Sequence, residues 1–217
     1  RPHIHVATPV YKSPNPSMLN NRDWSAIDLE AISDAMVPAT SYKPKNGADS
    51  YSANYTSWEA AKEDGTLRTV RARDFYRVAW RAMAANTGER TLIPTLIPPG
   101  AAHVNGIFSV GMPMQSLQKL VAVAGTAASL LADFSVRAAP KSGIYQSVFY
   151  RLPHVANSAI QTLVCLRLLR LSCVTDVYAD LWRESANKAM QSDSWAAGFE
   201  HMRRKPLGEI GPEWTHD

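Results

Sequence analysis

Between Arg73 and Gly100 apolar residues first alternate with polar ones, then pause at a polar turn, then resume as an apolar run cut by prolines: RDFYRVAWRAMAANTGERTLIPTLIPPG. This pattern predicts two extended segments joined by a tight loop at Ala85-Asn86-Thr87-Gly88, because successive side chains of a strand point to opposite faces. The first segment presents Tyr76, Val78, Trp80 and Ala82 on one face and Arg77, Arg81 and Met83 on the other. The second sets Leu92 and Leu96 against Ile93, Thr95 and Ile97. Pro94 has no N–H to give to a ladder, which puts its strand at an edge or a bulge. Tyr76, Trp80 and Met83 also fit a helical period, so a helix over 74–85 competes with the first strand.

The same reading extends along the chain. Residues 3–8 alternate as a short strand, with His3 and His5 on one face, although two histidines alone make a poor metal site. A short helix is predicted from Ser25 to Ile32, an irregular excursion over 38–57 and one helical turn over 58–62. A turn and a third strand are predicted over 101–110, with His103 a packed or turn histidine. Residues 114–134 give the clearest helix: Leu117, Leu120, Val121, Ala124, Ala128 and Leu131 recur at helical spacing, the opposite face is also small and apolar, and Pro113 suits the first turn. Residues 148–152 read as a short strand ending at Pro153. A second long helix over 156–183 carries the stripe Leu163, Leu166, Leu169, Cys173, Val177 and Leu181. Beyond Ser185 apolar density falls, leaving Trp195, Phe199 and Trp214 to pin the tail.

These elements predict an α+β fold, with a small, partly antiparallel sheet packed against two long helices. The expected division is an N-terminal stretch of short elements (1–72), a strand–loop–strand unit with its buried helix (73–153), and a C-terminal helix and tail (154–217).

Composition adds limits. A chain of 217 residues with 46% hydrophobic residues can bury a real core. Its net charge of +4 permits a nucleic-acid partner without demanding one. The two cysteines, Cys165 and Cys173, lie eight residues apart on one predicted helix, where a rise of about 1.5 Å per residue keeps them beyond disulfide reach. Buried reduced thiols and a cytoplasmic location are the expectation, with no signal peptide and no apolar run long enough to span a bilayer. The polar ends suggest a piece of a longer protein.

Motifs for chemistry do not emerge. There is no G-x-S-x-G elbow, no H-E-x-x-H, no C-x-x-C and no Walker loop. Asp28 with Glu30, and Asp180 with Glu184, read as helix-surface charges rather than metal-holding carboxylates. Arg68, Arg71 and Arg73 put three cations in six residues, followed by Arg77, Arg81 and Arg90. Charge alone leaves two readings open: a solvated basic face with ion pairs to Asp74 and Glu89, or a row of phosphate contacts.

The order of several short motifs carries a resemblance. An aromatic-rich segment ending in Trp80-Arg81 is followed by the polar turn, by Glu89-Arg90-Thr91-Leu92-Ile93 and by Ile97-Pro98-Pro99-Gly100. An apolar helix then ends in Asp133-Phe134-Ser135-Val136-Arg137. Next come the loop Ser142-Gly143-Ile144, Leu152-Pro153, a leucine-rich helix to Arg183 and Gly211-Pro212-Glu213-Trp214. This order, over about 72–183, resembles the target recognition region of large single-chain adenine-specific DNA methyltransferases of the type IIG restriction–modification and phage-defence class.

The resemblance implies a division of labour. A methyltransferase domain of the same parent chain would bind S-adenosylmethionine and methylate adenine N6 after flipping the base. The present chain would grip double-stranded DNA and read its sequence. It has neither the Asn/Asp-Pro-Pro-Tyr/Phe turn that holds the adenine nor a Gly-rich cofactor loop, so no catalytic residue and no cofactor are expected within it. The residues expected at DNA are Arg68, Arg71, Arg73, Asn86, Thr87, Lys141, Ser142, Tyr145 and Gln146, basic ones for phosphates and polar ones for base edges. Arg77 and Arg81 are alternatives that instead pair with a buried carboxylate. Two other functions compete: a protein-interaction or scaffold module of a phage-defence complex, and an enzyme of unrecognised type.

Overall fold

The computed structural model describes residues 3–5, 12–15, 17, 19–20, 23–28, 31–36, 45–62, 64–84, 87–103, 105–113, 116–138 and 142–192, with backbone alone at 3–5, 12–14 and 192. In chain order the elements are β1 (His3–His5), β2 (Lys12–Pro14), β3 (Trp24–Ala26), α1 (Ala48–Ala53), β4 (Ser57–Ala61) and β5 (Leu67–Arg71). They continue with β6 (Arg77–Arg81), β7 (Pro94–Ile97), β8 (Ala101–His103), β9 (Ile107–Gly111), α2 (Leu117–Ala127), α3 (Leu130–Ala138), α4 (Gln146–Phe149), α5 (Ser158–Ser172) and α6 (Ala179–Ser185).

The fold is α+β. Its main sheet runs β7-β6-β9 and is antiparallel throughout, with Val78 between Leu96 and Val110, and Trp80 between Pro94 and Phe108. The strand reading of 76–83 prevails over the helix because both faces of β6 are covered. Val78 and Trp80 enter the main core, while Ala79 joins Ile97, Ala101 and Ile107 in a second cluster behind it. Pro94 lies on the edge strand β7, as a residue without an N–H should. Among the described residues three two-stranded ladders accompany this sheet: β1 parallel to β8, and the antiparallel pairs β2–β3 and β4–β5.

The core centres on Trp80. Its ring stacks on Phe149 at 3.9 Å between centroids, and its indole N–H donates to the Ile144 carbonyl at 2.7 Å. Leu120, Val121, Leu166, Leu169 and Leu181 close the core from the helical side. Gly125 permits α2 and α5 to meet: a Cβ there would lie 2.6 Å from a Val164 methyl and 3.2 Å from its carbonyl oxygen. Cys165 and Cys173 are buried thiols outside any disulfide, and burial pushes them up to about 11 and about 12.

Several predicted elements are corrected. The helix over 114–134 is two helices, α2 and α3, whose axes differ by 58°. Ser116 caps α2 by accepting the Gln118 N–H, and Pro113 lies before the helix rather than in its first turn. The break falls at Ala128-Ser129 because both carbonyls accept from Arg90, at 2.8 and 3.2 Å, while the Ser129 hydroxyl takes the Ala132 N–H. The turned α3 leaves Leu131 63% exposed.

The helix over 156–183 also breaks. Asn157 caps α5 through the N–H groups of Ala159 and Ile160, and α5 stops before Cys173. The Asp176 N–H donates to the Asp34 carbonyl and the Tyr178 hydroxyl to the Leu96 carbonyl, so the chain turns here before α6. Leu166, Leu169, Cys173 and Leu181 still meet in the core, whereas Leu163 is exposed.

The strand over 148–152 is instead the single turn α4, which sets Phe149 against Trp80. Ser25 belongs to β3, paired with β2, rather than to a helix, and the Asp23 carboxylate braces the turn through Asn15, Ser17 and Leu19. The excursion over 38–57 contains α1, and 58–62 falls largely in β4, where Trp58 pairs with Val70. Asn86, Lys141, Trp195, Phe199 and the 211–214 motif lie outside the described residues.

Candidate functional site

The Asp-Phe-x-x-Arg motif acts as a clamp. Asp133 is buried, and its Oδ1 accepts the backbone N–H groups of Thr91 and Leu92, each at 2.7 Å. Arg137 reaches its Oδ2 at 3.2 Å and Arg90 its Oδ1 at 3.7 Å. Burial raises the carboxyl's pKa, but the bonds from Leu92 and Thr91 and the charges of Arg90 and Arg137 outweigh it and hold the group below the usual carboxylate range. Arg137 also donates to the Gly88 carbonyl at 2.5 Å, which ties the polar turn to α3.

A second set of bonds joins this turn to the segment after α3. The Ile144 N–H donates to the Ala82 carbonyl at 2.7 Å, and Met83 forms a bridge with Gly143. Ala82 and Met83, just past β6, therefore lie beside Gly143 and Ile144. Thr87, Ser142, Tyr145 and Gln146, four of the residues expected from sequence, are exposed on these neighbouring segments.

The arginines divide differently. Arg68 and Arg71 are both exposed on β5, but three positions apart on a strand they face opposite sides. Arg71 pairs with Asp74 at 2.9 Å, the partner expected for a solvated face. Arg73 is half-buried and donates to the Ser52 hydroxyl at 2.8 Å and the Gly100 carbonyl at 3.3 Å, holding α1 against the sheet. Arg77 is fully buried. Instead of a carboxylate it finds the Tyr55 hydroxyl at 2.9 Å and the Ala101 carbonyl, with the Tyr55 ring 5.8 Å away.

A cleft of about 510 Å³ opens where β4, β9 and α4 meet, lined by Ser57, Trp58, Glu59, Ser109, Gln146 and Tyr150 among others. Gly111 seats Trp58, because any Cβ there would run into the indole ring. The Ser109 hydroxyl is held by a His103 ring nitrogen at 2.8 Å. The sequence reading did not find this cleft. Its walls come from segments about fifty and forty residues apart, and Trp58 and Glu59 were assigned to a helical turn. A different surface lies on α3, where Leu130, Leu131 and Phe134 are 74%, 63% and 66% exposed.

Among the described residues no three His, Cys, Asp or Glu side chains are grouped to hold a metal ion. No single described helix is long and apolar enough to cross a membrane. The chain matches no protein-family model, no curated protein and no solved structure.

Proposed function

We propose that this chain is a sequence-specific DNA recognition module, the target-reading part of an adenine-specific DNA methyltransferase whose S-adenosylmethionine site lies in another domain. One observation carries the reading: two polar segments distant in sequence are tied together at their described flanks, Ala82 to Ile144, Met83 to Gly143 and Gly88 to Arg137. Trp80, Asp133 and Arg137 brace these flanks, with Thr87, Ser142 and Tyr145 exposed on them and Gln146 exposed at the start of α4. Base reading needs that arrangement, since a hydrogen-bonding side chain discriminates only when its backbone is fixed relative to the groove. Of the basic series read from the sequence, Arg73, Arg77 and Arg90 are engaged in holding the fold.

Duplex binding over a range of salt tests the reading. Affinity should fall linearly on a log–log plot, through counterion release from phosphates. Absence of binding at low salt, or affinity indifferent to salt, would overturn it. The exposed Leu130, Leu131 and Phe134 favour a second reading, a protein-interaction module, since apolar side chains clustered on a helix face mark contact surfaces.

A further inference from the structure

We infer that the cleft between β4, β9 and α4 binds a single unpaired nucleobase carrying an exocyclic amino group, presented by an unstacked strand. For the polymer that presents the base, this rests on the nucleic-acid reading above; the cleft's own chemistry is argued here. Its volume, about 510 Å³, is that of a site for a small ligand and not for a double helix. Two aromatic residues, Trp58 and Tyr150, line it from different elements. Trp58 is held in place by the missing side chain of Gly111 and by Phe75, 6.0 Å away between ring centroids, while Tyr150 is 66% exposed. Stacking on such rings is how proteins take up unpaired bases, because every base has a π-face.

The polar lining selects among bases. Gln146 is exposed and offers one amide donor and one acceptor, which bond an amino group beside a ring nitrogen or thymine's N–H beside a carbonyl alike, so it holds a base edge and leaves the choice to Glu59. Glu59 is exposed and, when ionised, accepts only, so it welcomes an amino group and repels a carbonyl oxygen. Adenine, cytosine and guanine carry such an amino group. Thymine presents carbonyl oxygens at both sides of its single N–H and should be disfavoured.

The test uses the full chain and labelled single strands of about eight nucleotides, the range one small binding surface covers. The strands are all-adenine, all-cytosine and all-thymine, with a paired duplex alongside, read by fluorescence anisotropy. The adenine and cytosine strands should bind about tenfold more tightly than thymine, as expected for one good polar match. A Glu59→Ala, Gln146→Ala double variant should bring both down to the thymine value. Tyr150→Ala should weaken all three strands by about tenfold through lost stacking. Thermal melts check the fold of each variant, and all three side chains are exposed. Equal affinity for adenine and thymine strands, no binding of any strand, or a preference that survives in the double variant overturns the assignment. If the duplex binds but no preference among strands appears, the DNA-recognition reading stands and the cleft assignment falls. If the preference appears and the duplex does not bind, the reverse holds.

Discussion

Oδ1 of Asp133 lies 2.7 Å from the backbone nitrogen of Leu92, 41 residues earlier in the chain. The same oxygen takes the Thr91 N–H, so one buried carboxylate fixes the approach to β7 from the polar turn. Replacing Asp133 with alanine removes the acceptor for two buried N–H groups and the counter-charge of Arg90 and Arg137. The expected cost is about 3 kcal/mol, the lower end for a broken buried pair, because both arginines keep about a third of their surface in water. Urea melts measure it, and a loss below about 0.5 kcal/mol, the scale of an ordinary surface change, would show that the clamp contributes little.

The same carboxylate sets a pH dependence. Its folded-state pKa lies below the unfolded value of about 3.9, so its stabilisation is present above that pH and is lost as pH falls through the folded pKa. An Asp133→Asn chain should therefore lose less stability than the wild type across the acid limb. Parallel acid limbs in urea melts taken downward from neutral pH would remove the carboxylate from that role.

Leu120 and Leu131 provide a direct comparison. Leu120 is 1% exposed and should cost about 2–5 kcal/mol when cut to alanine. Leu131, exposed on α3, should cost under about 0.5 kcal/mol. Denaturant melts of the two variants decide, and equal losses would restore one continuous buried helix.

Hydrophobic period made these two leucines equivalent, and the reason it failed is specific. The break between them is made by Arg90, 38 residues before Ala128, whose guanidinium occupies the carbonyls at the end of α2. A local pattern cannot register a bond from so far away. The pair β6–β7, the edge position of Pro94 and the stripe of Leu166, Leu169 and Leu181 were legible, because burial on a strand or helix face is written in the residues themselves. The partners of Arg77 were not, since an arginine in an alternating segment suggests a phosphate or a buried carboxylate until Tyr55 and the Ala101 carbonyl are placed around it. The polar loops of the candidate site were visible as loops. Their attachment, Ile144 to Ala82 and Arg137 to Gly88, was not.

Gly111 and Trp58 should behave as a coupled pair. A Cβ at Gly111 runs into the Trp58 ring and comes within 3.0 Å of the Arg77 side chain. Gly111→Ala should thus cost about 1–3 kcal/mol, the usual penalty for overfilling a packed site. In a Trp58→Leu background much of that cost should disappear. A double-mutant cycle by urea melts checks it, and additive losses would mean that the strand, not the ring, resists the new methyl.

The arginines separate the two functional readings. Arg68 is exposed on β5, and Arg73 is half-buried and holds Ser52 and Gly100. If the chain holds duplex DNA along this hairpin, Arg68→Ala should make the slope of log affinity against log salt shallower by about 0.9, on all sequences alike. Arg73→Ala should leave that slope nearly unchanged and act on the fold instead. With the guanidinium gone, α1 loses its bond to Arg73, and its amide protons should exchange faster than they do in the wild-type chain while those of β6 change little. Arg71 is a control on the opposite face of β5: its exposed pair with Asp74 is screened and weak, so its loss should move stability by no more than about 1 kcal/mol and leave the slope nearly unchanged. Binding isotherms at four or five salt concentrations and hydrogen exchange of the free chain measure both effects. A slope that Arg68→Ala leaves unchanged would take this face of the hairpin away from DNA. The apolar face of Leu130, Leu131 and Phe134 would then be the surface to test first.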